Sequence, residues 1–374
     1  MGSAESLVHS QQLILLSCIS SQSSIPKNMN DIVIIGAGIA GLVCAQQLSQ
    51  AGYSVLVVEK SRGLGGRLAT RRLHGTWADH GACYLKPKGE LFTDFVELLR
   101  DRHILEIWTD EVYELQPNAA PRYVAPGGMS AIAKFLAQNL NILLNQRVTE
   151  VNLTPENTWR LTLESSNEEL RAKALVIAIP APQAAMLLTP LGGGVLGQEF
   201  LTNLSAVEFA PCISAIAGYP TSSHPLPNWK AFNFIDDAVL GWIGLDSSKR
   251  HQPQQPVFVL QSSANFAQLH LESSDLQPIG QQMLHHAAQT LELPWLGIPE
   301  WLQVHRWRYA FPHIVWHNQV LVAQAKLPLV CCGDWCGGNL AEGAMLSGLA
   351  ASVEINNYLN QLILPDVNFL KVFT

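Results

Sequence analysis

Charge is scarce in this sequence: 14% of its 374 residues are Asp, Glu, Lys or Arg, against about 25% in ordinary soluble domains. The net charge is -7 and no Lys/Arg-rich run appears. Phosphate backbones therefore find no basic surface, and nucleic acid is not expected as a partner. Paired cysteines are lacking too. Seven thiols scattered from Cys18 to Cys336 do not complete a disulfide framework, and a chain of this length does not need one. A reducing, cytoplasmic setting is expected. Disorder is excluded as the dominant state, because 48% of the residues are apolar and can support a sizeable core.

Unbroken apolar spans are also missing. Residues 32–58 and 174–198 carry no charge and are long enough to cross a bilayer. The first, however, contains Gly36, Gly38, Gly41, Gln46, Gln47 and Gln50, and the second Pro180, Pro182, Pro190 and three consecutive glycines from Gly192. Buried parallel strands, covered on both faces, account for such runs, so no membrane span is expected. Residues 1–28 have no basic start, Lys27 being their first cation, and only a short apolar patch at 13–16. A secretory signal needs more. This Ser- and Gln-rich leader is read as flexible, with Met29 as an alternative start. Gly2 with Ser6 meets the loose myristoylation pattern, a match short enough to arise by chance.

What is present begins at Asp31. Residues 31–35 (DIVII) read as a buried strand and 36–41 (GAGIAG) as a tight turn into a helix carrying Leu42, Ala45 and Leu48. A second strand, 55–58, ends at Glu59. This is a strand-helix-strand dinucleotide fingerprint in its required context. Gly36 permits the tight turn, Gly38 lets a pyrophosphate approach the backbone, and Gly41 lets helix and sheet pack closely, with Ala40 between them in the same cradle. The helix N-terminus faces the anion with free N–H groups, and Glu59 is placed to accept from ribose hydroxyls.

The continuation, 60–67 (KSRGLGGR), is similar to the GGR element of flavoproteins related to glutathione reductase and the amine oxidases, in which the arginine meets FAD. Gly65 and Gly66 allow backbone approach, and Arg67 offers a forked donor to a phosphate or a flavin edge. Residues 60–84, 123–134 (YVAPGGMSAIAK), 305–309 (HRWRY) and 333–350 (GDWCGGNLAEGAMLSGLA) resemble bacterial members of the renalase family. The resemblance runs from Met29 to about Leu362 and is strongest where FAD would bind. It implies an α/β fold, with a Rossmann-like FAD-binding domain of glutathione reductase/amine oxidase type and an inserted α+β substrate domain. The first is expected from 29–88, 125–188 and 320–363, the second from 89–124 and 189–319.

The same resemblance implies that Lys60, Arg62, Gly66, Arg67, Cys83, Tyr84, Asp334, Glu342 and Ala344 line FAD and that the backbone of Val148 holds its adenine. The last helix, from about 342 to 359, would direct its N-terminal dipole at the flavin pyrimidine. On the substrate side it implies Trp242, within 240–249, together with Arg308 and Tyr309. An Arg308 packed on Trp307 for stability is the bland alternative. The sequence departs from the family at several points: Cys83 stands for Gln, Leu245-Asp246 for Arg-Asn and Gln261 for His, and the family has an Arg near Asn339, a residue that lies outside those the structure describes. The charge of Asp246 is expected to oppose a phosphate-bearing dinucleotide. His313 and His317, and Cys331, Cys332 and Cys336, lie close in sequence, but no third ligand completes a site, so no metal is expected. Cys336 is redox-active, a covalent linkage to the flavin, or an inert buried thiol, the last being the commoner outcome.

The implied activity is that of an FAD-dependent oxidase. A small substrate gives a hydride to the flavin and dioxygen takes the electrons as hydrogen peroxide; the resembling family members oxidise 2- and 6-dihydro isomers of NAD(P)H to NAD(P)+. No nucleophile, triad or carboxylate pair is evident in the sequence, which suits a reaction that needs no general base. An amine oxidase, an isoprenoid desaturase and a non-catalytic FAD-binding protein remain as alternatives. A monomer or homodimer is expected.

Overall fold

A computed structural model describes residues 29–110, 112, 120–164, 169–221, 224–338 and 340–373. The leader at 1–28 lies outside them. Strand β1 (Asn30–Ile35) passes through the glycine turn into α1 (Ile39–Gln50) and β2 (Val55–Val58). A hairpin of β3 (Thr70–Leu73) and β4 (Thr76–Asp79), helix α2 (Glu90–Asp101) and the pair β5 (Glu106–Thr109) and β6 (Arg122–Val124) follow. Next come α3 (Ser130–Leu136), β7 (Asn141–Leu143), β8 (Val148–Leu153), β9 (Trp159–Leu163) and β10 (Glu169–Ile177). The chain continues through α4 (Ala181–Leu188) and α5 (Gln198–Ser205) into β11 (Glu208–Gly218), β12 (Ala231–Asn233), β13 (Leu240–Leu245) and β14 (Val257–Ser262). Helices α6 (Ala264–Leu269) and α7 (Gln277–Thr290) precede β15 (Trp301–Ile314), β16 (Leu321–Val322), β17 (Leu329–Cys331) and α8 (Leu340–Tyr358).

The first sheet has the order β16-β17-β10-β1-β2-β7, with β9 and then β8 attached to β10. Its centre, β17-β10-β1-β2-β7, is parallel. Strand β1 feeds two cores. Ile32 and Ile34 pack with Leu42, Val43 and Met345 of the helices on one face, and Val33 and Ile35 pack with Leu187, Phe200 and Trp159 on the other. Burial on both faces is the reason the sequence shows no polar alternation there. Helices α1 and α8 meet closely: a Cβ on Gly348 would stand 2.4 Å from the Ala40 carbonyl oxygen. The middle of α8 thus packs on the start of α1, which follows β1 at the C-terminal edge of the central strands, where doubly wound folds bind ligands.

The second sheet is antiparallel, β12-β13-β14-β11-β15. One face carries Ile213, Ala215, Phe258 and Leu260 against Met283, Leu284 and Ala287 of α7. Its other face receives the segment that follows β4, through contacts of Ser214, Gln261 and Trp307 with His80 and Gly81. Residues 89–124, expected with the substrate domain, contribute Phe92, Phe95, Val96 and Leu99 to the core that holds Ile32 and Leu42. Their spacing gives α2 one apolar stripe that must be buried, and that core continues to Trp242 and Val259. Among the described residues no helix is long and apolar enough to cross a membrane.

Candidate functional site

The glycines of 36–41 are fixed by close approach. Gly36 has φ +109°, and a Cβ there would lie 2.5 Å from the Ala178 carbonyl oxygen; one on Gly41 would lie 2.0 Å from the Gly36 oxygen. Nothing stands within 4 Å of a Cβ on Gly38, so its turn opens onto free space. The GGR element docks on the same turn, Gly65 N donating to Ala37 O at 2.9 Å, and a Cβ on Gly66 would sit 3.8 Å from Gly38 Cα. Glu59 is buried. Its Oε2 accepts from Ala37 N at 2.9 Å and its Oε1 from Ser61 N at 2.8 Å. A carboxylate has about four acceptor sites, so about half remain for ribose hydroxyls. An open glycine turn, the free N–H groups that begin α1 and a half-used buried carboxylate fit the adenosine and pyrophosphate of FAD.

At the other end, Arg67 and Asp334 meet directly. Nη1 and Nη2 donate to Oδ2 and Oδ1 at 2.7 and 2.6 Å, and Nη1 also reaches the Ala310 carbonyl at 3.0 Å. The guanidinium lies 5.7 Å from the Phe209 ring centroid, and Phe209 meets Tyr309 edge-on. Glu342 serves differently from its expected contact with FAD: Oε1 and Oε2 accept from the amides of Gly89 and Lys88 at 2.7 and 3.1 Å, tying the start of α8 to the start of α2. Ala344 lies one turn into α8 and is half-buried. Val148 opens β8 opposite Leu163. Lys60 and Arg62 are exposed, with Lys60 Nζ on Gln183 at 3.3 Å. Cys336 is buried, and that burial, reinforced by Cys332 and Cys331, pushes its thiol well above the usual range, which disfavours the reactive thiolate.

Between these ends runs a strap, residues 79–84, pinned by the second sheet. The His80 carbonyl accepts from Ser214 Oγ and Trp307 Nε1, both at 2.8 Å, and the Gly81 carbonyl from Gln261 Nε2 at 2.7 Å. Ala82 N donates to the Arg67 carbonyl at 2.7 Å, and a Cβ on Gly81 would lie 2.0 Å from that oxygen. Cys83 is buried and its Sγ donates to Asp79 O at 3.2 Å; burial raises its thiol pKa. Tyr84 stands 6.4 Å from both Trp108 and Trp242, which brings three aromatic rings together beside the strap. Burial, aided by His305, lowers His80 to about 3, and burial, aided by Arg71, lowers His305 to about 4.

Two substrate-side expectations are corrected. Asp246 is fully buried and presents no free charge: Lys249 Nζ and Arg250 Nη2 each lie 2.6 Å from it. The same cations stand 3.6 and 2.8 Å from Asp79, closing a four-residue cluster with no net charge. Burial opposes the charge on Lys249 and Asp79, yet the opposite charges win, raising the lysine and lowering the aspartate. Arg308 is exposed and forks onto Glu272, whereas Tyr309 turns to Phe209. Alternation along β15 separates them.

Sequence reading gave no strap-holding role to Ser214, Gln261 or Trp307, and missed the cluster partners Asp79, Lys249 and Arg250. One signal was available for Trp307. In a strand over 305–309, His305, Trp307 and Tyr309 share a face opposite Arg306 and Arg308.

The sequence pattern of the NAD(P)-binding Rossmann-like domain matches residues 34–99, and that of the flavin containing amine oxidoreductases matches 91–356. An L-amino acid dehydrogenase of Synechocystis sp. is 40% identical over 68 residues, 18% of this chain and 14% of the relative. An L-amino-acid oxidase of Siganus canaliculatus is 40% identical over 72 residues, 19% and 14% respectively. The alignments thus span about a seventh of the relatives' own lengths. Among solved structures, a putrescine oxidase bound to putrescine superimposes with TM-score 0.62 at 15% identity over 89% of this chain and 100% of that one. Cyclohexylamine oxidase from Brevibacterium oxydans gives 0.62 at 15% over 88% and 99%. These two similarities are of fold.

Proposed function

The chain belongs to the flavin containing amine oxidoreductases, with FAD as cofactor, and on that premise we propose that it is a renalase-like oxidase of 2- and 6-dihydro isomers of NAD(P)H. When bound, FAD would supply hydride-acceptor chemistry, with dioxygen as the final two-electron acceptor and hydrogen peroxide as its product. The residues of this chain bind and orient. Gly36, Gly38 and Gly41, with the start of α1, would hold the pyrophosphate, Glu59 the ribose, and Arg67 with Asp334 the flavin-proximal end. Tyr84, Trp108 and Trp242 would hold a planar ring in place.

The observation that carries the reading is the chemistry of the strap region. Asp79 and Asp246 are neutralised by Lys249 and Arg250, and His80 and His305 are held neutral, with pKa values of about 3 and about 4. Neither histidine is poised near neutral pH as a general base. A dihydronicotinamide asks for none, because hydride loss alone creates its aromatic pyridinium. Oxidation of an amine is the second reading, supported by family membership. Anaerobic mixing of the holoprotein with dihydronicotinamide isomers and with amines tests the two. Bleaching of the flavin by the 2- or 6-dihydro isomers, followed by peroxide on admitting oxygen, is expected; bleaching by an amine alone overturns the proposal.

A further inference from the structure

Trp242 is 6% exposed, and its Nε1 is buried with no hydrogen-bond partner. Trp301 Nε1 is likewise buried without a partner, whereas other indoles find an acceptor. Trp108 donates to Ser248 Oγ, Trp159 to Pro328 O, Trp307 to His80 O and Trp335 to Ile179 O. An unsatisfied buried donor costs free energy, so this one calls for an acceptor that the protein itself does not supply. The ring is also preset. A Cβ on Gly244 would lie 2.2 Å from the Trp242 ring, so the outer edge of the indole occupies the space that any side chain at 244 would need. Trp242 pairs across the sheet with Gln261, whose side chain holds the strap at Gly81, and its ring is 6.4 Å from Tyr84 at the end of that strap.

The charges around this wall point the same way. Lys249 Nζ lies 5.2 Å from the Trp108 centroid and the Arg122 guanidinium 5.6 Å from that of Tyr84. Two of the three rings therefore already carry a cation, which is what an ammonium ligand would otherwise seek in an aromatic cage. The carboxylates beside Lys249, Asp79 and Asp246, are bound by Lys249 and Arg250. An arriving alkylammonium would meet like charge on two rings and carboxylates that already have partners.

We propose that Trp242 is a specificity-determining residue whose indole N–H donates to a carbonyl oxygen on an uncharged planar ring, so that the site takes a neutral carboxamide-bearing ring and rejects an alkylammonium. The proposal rests on the dihydronicotinamide reading for the location of the substrate. Its basis in the molecule is the unpartnered donor and the cation-loaded aromatic wall.

The test titrates the FAD-loaded protein near neutral pH with nicotinamide, with pyridine, which lacks the carboxamide, and with protonated benzylamine, following perturbation of the flavin spectrum. Nicotinamide should bind about tenfold more tightly than pyridine, the scale of one buried hydrogen bond, and benzylamine most weakly. Trp242→Phe, which keeps a ring and removes the N–H, should erase the preference for nicotinamide over pyridine. Equal weakening of both ligands means that only ring volume mattered and overturns the proposal, as does tighter binding of benzylamine. If the variant fails to retain FAD, the three affinities of the unaltered protein decide by the same order. Trp242-dependent nicotinamide binding without flavin reduction by any dihydronicotinamide would refute the proposed reaction and leave this inference standing. Flavin reduction with the preference unchanged in Trp242→Phe would do the reverse.

Discussion

The guanidinium of Arg67 and the carboxylate of Asp334 form a two-pronged pair, 2.7 and 2.6 Å on its two arms, and join segments 267 residues apart in sequence. Through its bond to Ala310 O the same guanidinium also reaches the second sheet. Asp334 is nearly buried while Arg67 is about one-third exposed, so the pair lies between the surface and interior cases. Asp334→Ala should lower unfolding free energy by about 1–3 kcal/mol, the range for charge-assisted hydrogen bonds, and weaken FAD retention. Arg67→Lys should recover little of either, because an ammonium cannot reproduce the fork. Denaturant midpoints and the flavin content of the purified variants measure both effects; unchanged values would remove the pair from the cofactor site.

Gly38 and Gly41 predict opposite failures. A Cβ at Gly38 meets nothing within 4 Å, whereas one at Gly41 would stand 2.0 Å from the Gly36 carbonyl oxygen. Gly38→Val should therefore fold but fill the space proposed for the pyrophosphate, giving a colourless protein with near-normal apoprotein stability. Gly41→Ala must displace backbone, and soluble yield should fall. A yellow Gly38→Val protein would contradict the proposed position of the dinucleotide.

The cluster of Asp79, Asp246, Lys249 and Arg250 predicts a stability effect where the sequence suggested an affinity effect. Asp246→Asn leaves buried Lys249 and Arg250 with one carboxylate between them, so stability should fall by about 3–5 kcal/mol, the usual cost of breaking a buried pair. Since Asp246 is fully buried and neutralised, the salt dependence of substrate binding should not change. Thermal melting and titrations at two ionic strengths check the two halves separately.

Stability should also depend on His80 and His305. Their native pKa values, about 3 and about 4, lie below the ordinary histidine value of 6.5. Above pH 6.5 both states are neutral and the histidines contribute nothing to the pH dependence. Below it the unfolded chain takes up protons that the native state refuses, so stability is lost as pH falls from about 6.5 towards the native values. Arg71 raises the cost of charging either ring and Asp79 offsets part of it at His80. Between pH 6.5 and 5, above the range of ordinary carboxylates, the melting temperature of His305→Gln should fall less than that of the unaltered protein. Parallel curves would show that His305 does not carry the dependence.

The sequence by itself determined the nucleotide half of the protein, because that half is written in neighbouring residues. Strand, turn and helix over 30–50 need only local spacing, and Gly36, Gly41 and Glu59 serve the backbone beside them. The GGR element was legible for the same reason. What only the tertiary structure decided lies where chemistry depends on residues brought together from far apart. Asp246 looked like a free anion until folding placed Arg250 and Lys249 between it and Asp79, 171 residues from Arg250 along the chain. Arg308 and Tyr309, adjacent in sequence, were parted by the pleat of one strand. Ser214 and Gln261 carry no signal of their own for the strap they hold, and the alternation that puts Trp307 on an inward face does not name its partner, because the partners are carbonyl groups, which every sequence possesses and only a fold can position.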